Sequence, residues 1–478
     1  MHNRTLAAIF LLLSSLAFAS AARAQNQPLP DAPATHLFAQ IAQNASPAQA
    51  APTAAPAAPQ TPASANNGLP AGPTLTIEQA EQMAFKNNPN ISIGRLLALA
   101  QGQVTREVRS VEMPQAMGDL TAVDAHKNSR ITGAGTINSP LILDKAAGGL
   151  TVSQLITDFG HTHNLVKSAQ SNARAELESE RATELDIKLA VDQAFYQALT
   201  TQAVLKVAQQ TLAQRQATGD QIGALTKSQV KSELDLSFAN VQISQANLLL
   251  LDARGNEQAS MAALNNVLGS EQDRQYVLVD ETGANPRPAP DETEALVKAA
   301  LRQRPDLASL NDKFLAAKQY TTAERDLWMP TISALLAGGS TPIRDDQIQS
   351  SWYLGAGANM SIPVFNGFLY SADEKEARYR AGAAGEQVRN LRDTIARDVR
   401  TAVLNAQTAF QRIAVTQDML NQANLSLDLA TARYKIGLSS IVELTQAQLN
   451  ETEAQIENTN ARYAYQTALA EVRYEVGQ

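Results

Sequence analysis

The stretch IKLAVDQAFYQALTTQAVL, residues 187–205, recurs in kind as IARDVRTAVLNAQTAFQRI, residues 395–413. In the first, Ile187, Val191, Ala194, Ala198, Thr201 and Leu205 fall at alternating steps of four and three; 208 positions on, Ile395, Val399, Ala402, Ala406, Ala409 and Ile413 repeat the rhythm. That spacing is a coiled-coil seam, and its small residues suit close helix packing. The chain is therefore read as a duplication before any residue is read as chemistry.

Working outward, proline is absent from 160 to 285 and again from 364 to the end. About sixty helix-compatible residues lie between Gly160 and Gly223, and again between Gly367 and Gly437, long enough for ~90 Å at ~1.5 Å per residue. Both long helices are predicted to turn at a glycine, in Asp220-Gln221-Ile222-Gly223 and Tyr434-Lys435-Ile436-Gly437, and to return as shorter helices reaching Gly269 and Gly477. A returning helix and one from the start of a copy are then expected to stack end to end beside a long one.

Each copy opens on a shorter helical segment. Thr76-Ile77-Glu78-Gln79 is a capping box, and Asp291-Glu292-Thr293-Glu294 is expected to open the second copy in the same manner. Glu78, Ala84, Pro89 and Pro114 recur 216 residues later as Glu294, Ala300, Pro305 and Pro330, with Pro89 and Pro305 predicting a kink or short break. After Pro114 and Pro330 the period changes to a weak alternation, and a second strand precedes each long helix, over 150–156 and 353–364. Two strands per copy make four per chain. They are small and mixed, as strands are that meet lipid on one side and water on the other, and four cannot close a conducting barrel, so several chains must share one.

The N-terminus predicts a compartment. His2 and Arg4 precede an apolar run from Leu6 to Phe18, and Ala22-Arg23-Ala24 supplies a cleavage site, so residues 1–24 read as a signal peptide. Residues 25–73 are rich in Ala and Pro and lack the apolar residues to pack a core; the copies then span 74–285 and 286–478. Losing Arg4 and Arg23 leaves 37 basic against 47 acidic residues, a balance near -10 that argues against a nucleic-acid partner. There is no cysteine, so neither a disulfide nor a lipid-bearing N-terminal cysteine is available. No catalytic constellation, phosphate loop or cofactor motif is visible, and His161 and His163, two apart at a helix start, do not face one metal site.

With these elements in order, the sequence resembles the outer-membrane factor family, the TolC-like outer-membrane channels. The match is carried by Leu75-Thr76-Ile77-Glu78-Gln79-Ala80 ending in Asn87-Asn88-Pro89, by the corners Leu155-Ile156-Thr157-Asp158-Phe159-Gly160 and Ile362-Pro363-Val364-Phe365-Asn366-Gly367, and by Ala432-Arg433-Tyr434-Lys435-Ile436-Gly437 and Ala461-Arg462-Tyr463-Ala464-Tyr465. The resemblance implies a mainly α chain with membrane β-strands. It implies that three copies complete one twelve-stranded barrel in outer-membrane lipid, continued by a periplasmic coiled-coil tunnel. It implies a passive exit duct of a tripartite efflux or type I secretion system, with a periplasmic adaptor and an inner-membrane transporter as partners. Without an N-terminal cysteine, the chain falls in the unlipidated branch.

It also implies site residues. Glu443 and Gln446 correspond to an acidic pair that narrows the periplasmic end, with Gln446 departing from it; 227–232 is taken as the first copy's counterpart, so that only the second copy resembles a gate. Ile222, Gly223, Ala224, Ile436, Gly437 and Leu438 are expected at the hairpin tips, as adaptor contacts. Asp158, Gly160, Asn366 and Gly367 mark the strand-to-helix corners, where Asp158 and Asn366 are expected to cap. Trp328, Trp352 and Tyr353 flank strands as candidates for an aromatic girdle. The competing reading is a periplasmic coiled-coil spacer without a pore, which leaves the alternating segments unassigned.

Overall fold

The computed structural model describes residues 72–123, 145–270, 274–280, 288, 292–343 and 350–478; the signal peptide and nearly all of the Ala/Pro-rich arm lie outside them. In the first copy, β1 (Thr74–Leu75), α1 (Ile77–Asn87) and α2 (Pro89–Arg109) lead into β2 (Gln115–Val123), β3 (Lys145–Thr157), α3 (His161–Lys227) and α4 (Glu233–Val267). The first copy ends with β4 (Val277–Leu278); in the second, α5 (Thr293–Gln303) and α6 (Pro305–Asp326) lead into β5 (Thr331–Ile343), β6 (Trp352–Ser361), α7 (Leu369–Lys435) and α8 (Ile441–Val476). The long helices α3 and α7 are 67 residues each, or about 100 Å at ~1.5 Å per residue.

Both predicted proline breaks occur, and each proline restarts a helix at its first position, where no N–H is missed. The capping box at Thr76 forms with Gln79. Its expected counterpart does not: α5 begins at Thr293 after Glu292, which makes no side-chain cap. A glutamate has no short side chain to fold back on the first turn.

The end-to-end stacking is built on two glycines. Gly269, at φ +66°, ends the α4 segment so close to the α1–α2 break that a Cβ there would lie 2.7 Å from the Asn87 carbonyl oxygen. The Asn88 amide crosses the same joint to the Val267 carbonyl at 2.9 Å. Gly477, at φ +88°, ends α8 against Arg304, where a Cβ would stand 3.2 Å from the backbone nitrogen. Arg304 forks onto Asp306 and also pairs with Glu475. So α2 continues the line of α4 along α3, while α6 continues α8 between α3 and α7.

The wall of helices therefore runs α2 over α4, then α3, then α6 over α8, then α7. Strand order in the sheet, β2-β3-β5-β6, follows the same sequence, because each strand is joined to its own helix. The predicted seams are its core: Ile187, Val191, Ala198 and Thr201 are buried, as are Ile395, Val399, Ala402 and Ala406. A parallel pairing of β1 with β4 joins the start of the first copy to its end.

Register resolves the weak alternation of the strands. One face of the sheet carries Leu120, Leu150, Val152, Ile332, Leu336, Trp352, Leu354 and Met360. The other carries Gln115, Asp119, Thr151, Ser153, Ser333, Tyr353, Asn359 and Ser361. The first face is the more apolar, though Gln154 and Ser340 share it, and the second the more polar, though Met117, Leu155 and Leu335 share it; a bias of this kind fits a sheet between lipid and water. Trp352 and Tyr353 thus fall on opposite faces, and Trp328 packs edge-on against Tyr370 at 5.7 Å. Among the described residues no helix is long and apolar enough to cross a membrane.

Two predictions follow from packing. Gly269→Ala must hold a side chain in the left-handed region against a backbone oxygen, and should cost about 1–3 kcal/mol, read as a lower Tm of the helical signal. Asp192 is buried on α3, 3.3 Å from Arg473 of α8; burial pushes its carboxyl up to about 7 against the pull of Arg473, and Glu81 adds to the rise. The folded state binds this proton more tightly than the unfolded one. Its contribution is thus fully present below the ordinary value of 3.8 and lost as pH rises towards 7. Asp192→Asn should flatten that part of the Tm-versus-pH curve.

Candidate functional site at the hairpin tips

The α3–α4 and α7–α8 hairpins close through the same turn. In the second, Gly437 takes a φ of +78° and the Leu438 N–H bonds back to the Arg433 carbonyl at 2.9 Å. In the first, Gln229 takes a φ of +62° and the Val230 N–H bonds back to the Leu225 carbonyl at 2.9 Å. Such a left-handed residue ends a helix by satisfying its last carbonyls.

This corrects one predicted tip. Ile436, Gly437 and Leu438 are at the second turn, but Ile222, Gly223 and Ala224 lie within the last turns of α3, and Ile222 is buried. The first turn is 228–231. Gly223 lies inside the helix, and a glutamine, Gln229, adopts the left-handed conformation that ends it. The counterpart of the Glu443 stretch shifts too: Ser232 and Ser440 both cap their returning helices, which sets Asp235 opposite Glu443 and Phe238 opposite Gln446. Both copies are acidic at the first position.

Glu443 sits in the first turn of α8, where its N–H bonds the Ser440 hydroxyl at 3.3 Å and its carboxylate suits the positive helix end. Its side chain is 45% exposed and 3.6 Å from Arg433, a loose ion pair worth at most ~1 kcal/mol. Gln446 is exposed and donates to Asn450 at 2.8 Å. Asp235 completes a capping box with Ser232.

Between the hairpins lies an apolar cluster drawn from all four helices: Ile222 and Ala239 from one, Leu427, Tyr434, Ile441 and Leu444 from the other. The Lys231 ammonium stands 3.9 Å over the Tyr434 ring. Burial raises the Tyr434 phenol above its ordinary value, and Asp235 adds to the rise. The Tyr434 and Ser439 hydroxyls are buried without a hydrogen-bond partner among the described residues. At the extreme end Val230, Leu234, Ile436, Leu438 and Val442 are exposed. Lys231, Tyr434, Asp235 and Arg433 are the residues that sequence reasoning missed, although the 208-residue offset applied to Glu443 leads to Asp235.

At the other end of the long helices the corners differ. Asp158 accepts from the Gly160 N–H at 3.2 Å and the Thr162 N–H at 2.7 Å, reaching a first-turn amide of α3 from two residues ahead of Gly160, which holds the cap position itself. Burial alone would raise its carboxyl, but the bonds from Thr162 and Gly160 hold it below its ordinary value. Gly160 is left-handed at φ +119°. Asn366 does not cap: α7 begins after Gly367 and Phe368, both with positive φ. The first corner makes the same kind of tandem left-handed turn, through Phe159 and Gly160, so the turn does not separate the two corners; neither end of the Asn366 amide has a partner among the described residues. His161 turns its Nδ1 to the Ala323 carbonyl at 2.9 Å, a bond between the two copies.

The chain matches the family described as Outer membrane efflux protein over residues 115–270 and 296–478. It is 23% identical over 407 residues to the outer membrane protein TolC of Escherichia coli K12, covering 81% of this chain and 79% of that one. It is equally 23% identical over 402 residues to the outer membrane efflux protein BepC of Brucella suis biovar 1, covering 81% and 82%. A crystal structure of CusC superposes with a TM-score of 0.73 at 20% identity, over 84% of this chain and 92% of that one.

Proposed function

The chain belongs to the outer membrane efflux protein family, and from that premise we propose that three copies close into a passive exit duct fed by an inner-membrane transporter through a periplasmic adaptor. The protein is an efflux channel of the outer membrane rather than an enzyme, with most of its length in the periplasm. The proposal concerns how it is assembled, gated and supplied, whether in tripartite efflux or in type I secretion.

The observation that carries the assembly is a pair of unfinished edges. The sheet ends in β2 on one side and β6 on the other, with no partner strand among the described residues. The helices beneath those edges also leave apolar residues uncovered: Leu234, Phe238, Val241 and Leu248 on α4, and Val415, Met419, Leu425 and Leu429 on α7. Joining β6 and α7 of one copy to β2 and α4 of the next is a head-to-tail contact that becomes a ring if it closes. At three copies it gives twelve strands around a water-filled lumen, with the polar face of the sheet inward.

At the periplasmic end, Glu443 and Gln446 are assigned to the constriction, with Asp235 beside Tyr434 as a second acidic position. Three copies of Glu443 around an axis attract cations, which favours selectivity, while their side chains occupy and narrow the aperture. The exposed aliphatic residues Val230, Ile436 and Leu438 form the surface offered to an adaptor. Replacing Glu443 with alanine should raise single-channel conductance in a planar bilayer and reduce the preference for cations. Unchanged values would remove Glu443 from the constriction.

A further inference from the structure

On the more apolar face of the sheet, leucines lean over glycines of the neighbouring strand. A Cβ added to Gly148 would lie 2.8 Å from Leu120, one on Gly118 3.4 Å from Leu150, and one on Gly338 3.1 Å from Leu354. The arrangement stops at the end of the sheet away from the helices, where β5 carries a β-bulge. From Gly148 to Ala146, β3 takes two steps while β5 takes three, from Ser340 to Ile343. The extra residue falls at Thr341-Pro342, and proline suits a bulge because it has no N–H to give to the ladder.

Beyond Leu120 the strands leave a hollow of about 470 Å³, lined among others by Ala122, Ala146, Gly148, Ser340 and Pro342. None of these carries a long side chain to fill it. Ser340 donates its hydroxyl to the Ser351 carbonyl at 2.9 Å, so it is not free to hold a water there. A hollow with so few polar partners is poorly suited to water. Leu120 forms its near rim and is 92% exposed.

Position in the sheet says what covers the hollow. Gly148 stands nine residues from Thr157, where β3 ends; that is ~30 Å along the strand, and ~23 Å in height for a tilt of ~40°. The apolar band of such a barrel is about 25 Å tall, so the hollow opens at its outer boundary. Leu120, Gly148, Ser340 and Trp352 pair across one row, and tryptophan is a residue that marks a membrane interface.

We propose that this hollow seats the upper part of an acyl chain from an outer-leaflet lipid, one per copy. This rests on reading the face of Leu120 as the lipid side. Lipid tails are as apolar as the lining, so burial from water does not hold the chain there. Packing does: a chain in the hollow touches protein on several sides, where one on a flat strand touches it on one, and dispersion contacts add up.

The test reconstitutes the full-length protein in dioleoyl phosphatidylcholine nanodiscs containing a phosphatidylcholine with a diazirine near the carbonyl end of one acyl chain, and maps labelled residues by mass spectrometry after irradiation. Label should concentrate in Leu120, Ala122, Ala146 and Ala147 and saturate at one lipid per chain. Gly148→Leu should reduce it roughly fivefold. Ala146→Leu fills the hollow from its other end, should do the same, and gives a reading if the first variant does not insert. Ala356→Leu adds the same bulk to the same face beside Leu336 and should change nothing. Label spread evenly along the strands, or unchanged in both filling variants, would overturn the inference. So would a diazirine at the chain terminus labelling the hollow more than the one near the carbonyl, since that places the lipid in the inner leaflet. A protein with no label in any strand would instead remove the lipid-side reading itself.

Discussion

Two left-handed glycines carry the architecture. A helix of 67 residues buries a seam far longer than one returning helix of 35 or 36 can cover. The uncovered length must be met by a second helix starting where the first stops. Gly269 and Gly477 make that possible by ending α4 and α8 with positive φ in spaces where a side chain would strike backbone. The proline breaks at Asn88-Pro89 and Arg304-Pro305 fit onto those ends, and the wall keeps its helix order from tip to sheet.

The long seams were legible because their period is strict and their residues small. The proline breaks were legible for a similar reason, since proline is tolerated at the first turn of a helix and little else explains it inside one. The first hairpin tip was not. Gly223 looks like a stop and lies in a helix, while Gln229 looks like any surface residue and holds the left-handed position. Asn366 misled in the opposite direction: both corners pass through two left-handed residues and only Asp158 reaches a first-turn amide, so a short polar side chain at the corner does not by itself make a cap.

Faces of the sheet were hidden by composition. Glycine and alanine fill so many strand positions that alternation alone did not say which side meets lipid; pairing Leu150 with Gly338 and Gly338 with Leu354 does. The burial of Arg215 of α3 against Gln448 of α8 was hidden for another reason. A lone arginine in a polar helix reads as a solvated side chain until α8 is known to lie against it. At the tip the same logic applies to Lys231 and Tyr434, which are far apart in sequence and meet only because the hairpins pack together.

Seen this way, one chain is a wall section whose faces are decided and whose edges are not. The most direct test is a cryo-electron microscopy reconstruction of the purified protein in lipid nanodiscs. A threefold ring with twelve strands, β6 of each copy hydrogen-bonded to β2 of the next and Glu443 turned to the axis, is the result this account predicts. A monomer, or an assembly in which β2 and β6 remain unpaired, would contradict it.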